Sequence, residues 1–313
     1  MSNPKGFVVS GLTDYIENKR DTLIKSAVIG RTPNYTLDRV AKRFGIKTSE
    51  MLNFLDVAPV LQDGRGCGFN ANGNTNLSER QLVTAIYKVN DEYCPDDLLG
   101  KYAENQVAIA AGKERLPFEE EIANEIVDGV ADQVEKLVWQ GATSANSGTD
   151  LIDGFIVRAE NQDSGETIFV TAATSADSAY AAVKKVYMAM PEELIDLPDA
   201  FIGLSPALFR EYIQDLVAAN LYHYDPANGA INEIFLPGAD VKVVKIKGLA
   251  GTKKIYASTW RNLVAGMDMM DDKEELKMWE SLDDDVIRLK LRFNIGITTF
   301  YPDFVVLADI AGE

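Results

Sequence analysis

The longest regular alternation of apolar and polar positions in the chain predicts one amphipathic helix over residues 117–141. Its apolar residues recur mainly at intervals of three or four and form one stripe: Ile122, Ile126, Val130, Val134, Leu137 and Val138. Pro117 suits the first helical position, and Gly141 suits a left-handed residue that ends the helix. At 1.5 Å per residue the helix would be about 35 Å long, about two turns more than a typical globular helix. We therefore predict a spine helix against which other elements pack.

Shorter helices are predicted on either side of the spine. The first fifty residues contain two amphipathic pieces, over residues 12–28 and around residues 40–46. Ser175 is a candidate cap for a helix over residues 176–190. A Ser-Pro pair predicts the start of another helix, over residues 206–221.

Alternation with a period of two predicts strands. The clearest case is residues 286–297, where Ile287, Leu289 and Leu291 alternate with charged residues. Residues 81–90 show the same pattern. Short apolar segments between glycines and polar residues predict further strands at 155–157, 200–204, 241–246, 254–258, 263–267 and 304–308.

A tract rich in glycine and asparagine, residues 63–76, separates the apolar segment 51–59 from the strand at 81–90. Such residues favour turns and cannot fill a core. The sequence therefore predicts a long hairpin that projects ahead of the spine helix.

Composition sets the broad class. The chain has 313 residues, of which 46% are hydrophobic and 25% charged, so it is long enough for two core-bearing units or one elaborate unit. A net charge of −17 argues against a surface that binds nucleic acid, because such binding depends on Lys and Arg neutralising phosphates. No uninterrupted apolar stretch approaches the roughly 18 residues of a membrane helix, and the start has no apolar signal segment, so we expect synthesis in the cytosol and no membrane association.

Three sequence features resemble catalytic or nucleotide sites, and each lacks a required part. The single histidine, His223, lies in an aromatic setting and has no triad or zinc-ligand partner motif. The glycine-rich run at 64–68 is not followed by the helix that a dinucleotide fingerprint requires. The run at 248–254 lacks Walker spacing and predicts a turn between two strands.

Acidic and thiol groups also fall short of a site. Carboxylates cluster at Asp268, Asp271, Asp272 and residues 283–285, without the spacing of a calcium loop, so we expect solvated turns. The two cysteines, Cys67 and Cys94, are too few for a disulfide framework or a zinc site. We therefore predict no catalytic residue, no metal and no cofactor.

The order of these elements and several short stretches of sequence resemble those of tailed-bacteriophage major capsid proteins, which have the Hong Kong 97 fold. Residues 52–56, 64–69 and 78–80 resemble the extended-loop region of capsid proteins from phages of gut bacteria, including the crAss-like group. Residues 90–98 resemble the segment after that loop, and residues 139–141 resemble the end of the spine helix. The resemblance spans residues 50–310.

The resemblance implies an α+β, Hong Kong 97-like chain in five parts. These are an N-terminal arm (1–50), an extended loop, or long β-hairpin, with flanking strands (51–90), a peripheral domain (91–169) with the spine helix at 117–140, an axial domain (170–280), and a strand that returns to the peripheral domain (281–313). The extended loop would lie across a neighbouring subunit. The implied contact residues are Leu61, Arg65, Cys67, Phe69, Asn72 and Arg80.

The implied function is assembly, not catalysis: an icosahedral shell around the double-stranded DNA genome of a tailed phage, made in the cytoplasm of the bacterial host. The implied partners are copies of the chain itself in pentamers and hexamers, a portal protein, a separate scaffolding protein, and auxiliary or decoration proteins. No sequence-specific nucleic acid binding is expected. Two alternatives stay open: an encapsulin-type compartment shell with the same fold, and an α/β enzyme that binds a nucleotide at residues 64–68.

Overall fold

In a computed structural model, the described residues are 9–30, 35–58, 74–94, 118–145, 151–161, 168–173, 178–221, 232–268, 275–281 and 286–310. The helices are α1 (Val9–Ile29), α2 (Thr36–Arg39), α3 (Phe118–Gln140), α4 (Phe155–Glu160), α5 (Ala179–Ala189), α6 (Glu192–Ile195) and α7 (Pro206–Ala218). Short 3-10 turns occupy Thr143–Ala145, Lys247–Leu249, Trp260–Asn262 and Pro302–Phe304.

The strands are β1 (Ala41–Phe44), β2 (Ser49–Ala58), β3 (Asn74–Val83), β4 (Ala85–Tyr93), β5 (Ile168–Ala173), β6 (Ala200–Leu204), β7 (Glu233–Phe235), β8 (Lys242–Lys245), β9 (Lys254–Thr259), β10 (Leu263–Met267), β11 (Glu275–Ser281), β12 (Val286–Thr299) and β13 (Val306–Ile310). They form a five-stranded sheet, a six-stranded sheet and the two-stranded hairpin β2–β3. The predicted α+β class is confirmed.

The long strand β12 organises the five-stranded sheet. It pairs antiparallel with β4 along one edge, and with β10 and β11 along the other, and β1 extends the sheet beyond β10 in parallel. The predicted alternation is confirmed, because Ile287, Leu289, Leu291, Phe293 and Ile295 are all buried while the residues between them point to the opposite face. That buried face belongs to the same hydrophobic core as α1 and α3.

The six-stranded sheet has the order β5-β13-β9-β6-β8-β7 and carries apolar side chains on both faces. One face packs with α5 and α7 in a second core, through residues such as Ile202 and Val243. The other face contributes Phe201, Tyr256 and Leu307 to the core that contains the spine. The spine helix α3 therefore joins the two sheets.

The predicted spine is confirmed over Phe118–Gln140, and its main helical neighbour is α1. Helix α1 packs alongside α3 and buries Ile16, Leu23, Ile24 and Val28 in the main core. The first part of the predicted N-terminal arm is thus integrated into the body, because its apolar stripe has a partner there. The division of the chain into domains stays a prediction.

Several local predictions are wrong. Residues 155–157 are helical, because Phe155, Ile156 and Ala159 reach the core at helical spacing within α4. The amphipathic piece around residues 40–46 is mainly strand β1, since it adds an edge to β10. The described cap of α5 is Ser178, whose side chain accepts a hydrogen bond from the Ala181 N–H; Ser175 lies outside the described residues.

Gly141 does not take the left-handed conformation predicted for it. Its reason for being glycine is space, because a Cβ would lie 2.7 Å from the carbonyl oxygens of Ile152 and Leu137. The helix α7, by contrast, begins as predicted at Pro206, with Ser205 as its cap.

Candidate functional site at the base of the extended hairpin

The hairpin β2–β3 pairs ten residues on each strand, from Ser49 opposite Val83 to Ala58 opposite Asn74. At about 3.4 Å per residue its ladder is roughly 30 Å long. Strand β3 continues through Thr84 into β4, so the hairpin and the five-stranded sheet share a continuous chain. The predicted long hairpin is confirmed in its two strands, and its tip lies outside the described residues.

The two faces of the hairpin base differ in how far their side chains are buried. On one face, Leu52 and Leu82 are buried in a small cluster with Ile46 and Val264. On the other face, Met51 and Val83 are 52% and 43% exposed. The base is therefore anchored on one side and presents apolar side chains to solvent on the other.

Two glycines allow the hairpin base to approach the sheet. Gly266 and Gly296 are directly paired between β10 and β12. A Cβ on Gly296 would collide with the carbonyl oxygen of Val83 and come within 2.9 Å of the Thr84 Cα, and one on Gly266 would lie 2.7 Å from the Leu82 side chain. Glycine in a strand interior commonly marks such a close approach. The position of the hairpin is thus fixed by backbone fit.

Polar contacts complete this anchor. The Thr84 N–H donates to the Thr48 carbonyl oxygen at 2.9 Å, and the Thr84 hydroxyl contacts the same oxygen at 3.2 Å. The buried Asn294 amide donates to the carbonyl oxygens of Ile46 and Lys47, both at 3.2 Å. The two ends of the hairpin are thus bonded to each other, and the segment that leads into β2 is bonded to β12 through Asn294.

A second set of long-range contacts, which we call the spine junction, joins residues 35–36, the end of α3 and the turn at Lys247–Leu249. Glu135 is 1% exposed and accepts hydrogen bonds from the Thr36 N–H (2.9 Å) and the Thr36 hydroxyl (2.5 Å). The Trp139 indole N–H donates to the Thr36 hydroxyl oxygen at 2.7 Å. Burial raises the pKa of Glu135 to about 7, although hydrogen bonds from Thr36, Gly248 and Trp139 act in the opposite direction.

The exposed edge of the spine junction centres on Asp132. It accepts hydrogen bonds from the Tyr35 hydroxyl at 2.6 Å and the Lys247 ammonium at 2.9 Å. Partial burial would raise the pKa of Asp132, but these two hydrogen bonds lower it below its usual value. The pKa of the Tyr35 hydroxyl rises, first through burial and then through its bond to Asp132.

Aromatic packing surrounds the spine junction on its inner side. The Trp139 ring lies edge-on to Phe155 at 5.3 Å and to Tyr256 at 5.1 Å between ring centres. Gly248 packs directly on this ring, since a Cβ there would clash with it. Trp139 therefore holds the spine, α4 and the six-stranded sheet together.

Of the predicted contact residues, Arg80 alone is in the described part of the chain, on β3 opposite Leu52 and partly buried. Leu61, Arg65, Cys67, Phe69 and Asn72 lie outside it. Their role between subunits stays a prediction.

The sequence analysis missed Glu135 and the Gly266–Gly296 pair. Signals existed for both. Glu135 falls on the apolar stripe of the spine, beside Val134 and Val138. Each glycine interrupts an apolar strand. A charge on a stripe and a glycine in a strand both indicate a special contact.

The features that resembled chemical sites have mixed outcomes. The turn predicted at 248–254 is confirmed, because it joins β8 and β9. Asp268 is 2% exposed, so the expectation of a solvated turn is wrong there; it directly follows the buried strand β10. Cys94 is exposed. His223, Cys67, Asp271, Asp272 and residues 283–285 lie outside the described residues.

Among the residues that the structure describes, no group of three or more His, Cys, Asp or Glu side chains is arranged to hold a metal ion. No described helix is both long and apolar enough to span a membrane.

Neither a protein-family model nor a curated protein matches this chain. Similar solved structures do exist. A chain of the satellite phage P4 procapsid, determined with its size determination protein, is 11% identical, with a TM-score of 0.60 over 99% of this chain and 92% of that one. The capsid of the native GTA particle gives 12% identity and a TM-score of 0.58, covering 90% and 91%. The virus-like particle of Pyrococcus furiosus gives 10% and 0.50, covering 95% and 100%. The chain therefore has the fold of the phage capsid proteins, as its sequence predicted.

Proposed function

We propose that this chain is a major capsid protein that self-assembles into the icosahedral shell around the double-stranded DNA genome of a tailed bacteriophage. The observation that supports it best is the match to the P4 procapsid chain, because it covers 99% of this chain. The proposal assigns no enzymatic activity, and places the protein in the virion capsid after assembly in the host cytoplasm.

The hairpin is the proposed arm between subunits. Its outer face exposes Met51 and Val83, and such apolar groups on a projecting ribbon gain stability by burial against another molecule. An arm that reaches from each subunit to the next gives head-to-tail contacts, which close into rings when the rotation between subunits allows it. Pentamers and hexamers are the proposed rings. The proposed contact residues are Leu61, Arg65, Cys67, Phe69, Asn72 and Arg80.

The proposed partners beyond the chain itself are a portal protein, a scaffolding protein and auxiliary capsid proteins. We test the core of the proposal with the purified full chain, followed by light scattering and electron microscopy over a range of salt and protein concentrations. Closed particles are expected. A monomer under every condition, also when the chain is expressed with its scaffolding protein, would contradict the proposal.

The role of the hairpin is tested by deleting residues 64–74. The deleted chain is expected to fold and stay monomeric, because the anchor at the hairpin base is untouched while the reach to a neighbour is lost. Circular dichroism and light scattering measure both properties. Unimpaired particles from this variant would refute the assigned role.

A compartment shell that encloses protein cargo is the second candidate. The specific observation in its favour is the Pyrococcus furiosus virus-like particle, whose chain is covered in full. Extraction of purified native particles distinguishes the two candidates. Packaged DNA and a portal vertex support the phage capsid, and an enclosed protein without DNA supports the compartment.

A further inference from the structure

The face of the five-stranded sheet turned away from the core is basic. Outward-pointing positions on β4, β11 and β12 form this basic face. Its cationic residues are Lys88, Lys277, Arg288, Lys290 and Arg292. The register brings them together, since Lys88 is paired with Arg292 and Lys277 with Lys290.

The charge of the basic face is opposite to that of the chain as a whole. Among the described residues, Asp91 and Glu92 line the groove on this face, and Glu275 is paired with Arg292 in the register. Glu92 accepts a hydrogen bond from Arg288 at 3.0 Å. Five basic and three acidic residues among those described on this face stand against 31 basic and 48 acidic residues in the sequence. The net charge of the chain, −17, is therefore opposite in sign to that of this face.

Apolar side chains lie within the same face. Trp279 and Ile86 are 42% and 40% exposed. Both line a groove of about 440 Å³ together with Lys88, Arg288 and Arg292. Protein interfaces are enriched in Trp and Arg, and these two residues often contribute most of the binding energy. Trp279 is paired with Arg288 in the register, so both residue types occur side by side on this face.

The geometry points to the basic face as a contact surface for a carboxylate-rich surface of a second copy of this chain. The inference rests on the proposed shell function, which brings identical, acidic subunits into contact. Charge complementarity between the basic face and an acidic chain favours a second copy of this chain as the binding partner. A nucleic acid long enough to pass beyond the face would meet a protein of net charge −17, which repels phosphates. Binding of nucleic acid to the basic face is therefore a result that would contradict the inference.

Zero-length cross-linking identifies the occupant in unaltered protein. Particles assembled from a mixture of unlabelled and ¹⁵N-labelled subunits are treated with a carbodiimide, which joins lysine amines to carboxylates in direct contact. We expect mixed-isotope peptides that link Lys88, Lys277 or Lys290 to an acidic residue. Links found only within one isotope, or ultraviolet cross-links from Trp279 to nucleic acid, would overturn the inference.

Charge reversal gives the second measurement. The double variant K88E/R292E is expected to lose at least ten-fold in assembly yield, while high salt weakens assembly of the unaltered chain because exposed charges are screened. The matched control is K25E/K184E, which makes the same change of charge at exposed lysines of α1 and α5. Control particles should form normally.

Comparing assembly of the unaltered chain with that of the two double variants separates failure of the inference from failure of the proposed function. If the unaltered chain forms no particles, the proposed function fails and the inference fails with it. If the unaltered chain and K88E/R292E assemble equally well, the shell function stands and the inference is wrong. Equal loss in both double variants also overturns it, because net charge and not this face would then control assembly.

Discussion

The hairpin base and the spine junction both join segments that are far apart in sequence, but they do so by different physical means. At the hairpin base, backbone meets backbone over Gly266 and Gly296, with a small cluster around Leu82. At the spine junction, a carboxylate and an indole are fully buried and hydrogen-bonded to Thr36. The contact at the hairpin base involves few side chains and mainly fixes the position of the hairpin. The contact at the spine junction is buried and polar.

This difference separates two roles. The spine junction connects α2, α3 and the six-stranded sheet, so a change there should reduce the stability of the whole subunit. The hairpin base holds a ribbon whose outer face is exposed, so a change there should alter the direction of the arm more than the stability of the body.

The largest loss of stability is expected for Trp139→Ala. The side chain is fully buried between Phe155 and Tyr256, and its N–H is bonded to Thr36. Removing a buried tryptophan costs about 3–5 kcal/mol through lost burial and a residual cavity. Urea unfolding of the monomeric subunit, followed by circular dichroism, measures this loss.

Trp279→Ala is the matched control, because Trp279 is 42% exposed on the basic face. Its expected effect on stability is within about 0.5 kcal/mol, as for most surface substitutions. Similar losses in the two variants would contradict the assignment of Trp139 as the centre of the spine junction.

The second largest effect concerns pH. Because the folded pKa of Glu135 is raised to about 7 from an ordinary value of 4.5, the folded state retains a proton that the unfolded state has lost. The free energy of unfolding should therefore fall as pH rises from about 4.5 to 7, by on the order of 3 kcal/mol. Glu135→Gln, which is neutral throughout, should remove this slope. Urea midpoints at pH 5, 6, 7 and 8 measure it.

Other titrating groups also change the free energy of unfolding with pH, and their contributions must be separated from that of Glu135. Hydrogen bonds and nearby cations lower the pKa of Asp132 and Glu233, so their contribution to stability is lost below about pH 4, with the opposite slope. A free histidine side chain titrates near 6.5, within the same pH range. His223→Gln, at the single histidine, is therefore the control that should leave the slope in place. An unchanged slope in Glu135→Gln would show that another group causes it.

The elements with sustained periodicity could be predicted from the sequence. Residues 286–297 alternate over six buried positions, and residues 117–141 repeat over more than six turns, so the pattern outweighs local noise. Residues 155–157 were too few to distinguish a period of two from one of 3.6, and their helix depends on packing beneath Trp139. Pattern length decides what can be predicted.

The two anchors could be predicted only in part. Glu135 and Gly296 each break the pattern of their own element, and that break marks them as special. Their partners, Thr36 and Val83, are 99 and 213 positions away, and no local pattern specifies which distant backbone will meet them. The sequence therefore indicated that Glu135 and Gly296 each make a special contact, but it did not indicate which residue is the partner.

The sharpest test of the comparison is Gly296→Ala, whose expected loss of stability is smaller than that of Trp139→Ala. The added methyl group would collide with the Val83 carbonyl oxygen and approach the Thr84 Cα, so the backbone of the hairpin base must move. Forcing an extra methyl group into a well-packed contact costs about 1–3 kcal/mol. We expect a loss at the lower end of this range, since the exposed hairpin can shift away, together with a severe loss of closed particles by electron microscopy.

Gly129→Ala is the control for this substitution. It lies on the exposed side of α3 with no atom within 4 Å of its added Cβ, so alanine should stabilise the helix by about 0.5–1 kcal/mol and leave assembly unchanged. If Gly296→Ala instead destabilised the subunit as much as Trp139→Ala, the hairpin base would be part of the central fold, and the two anchors would not be separable. Normal stability with normal particles would show that the ribbon tolerates the shift, and that backbone fit at Gly296 does not set the direction of the arm.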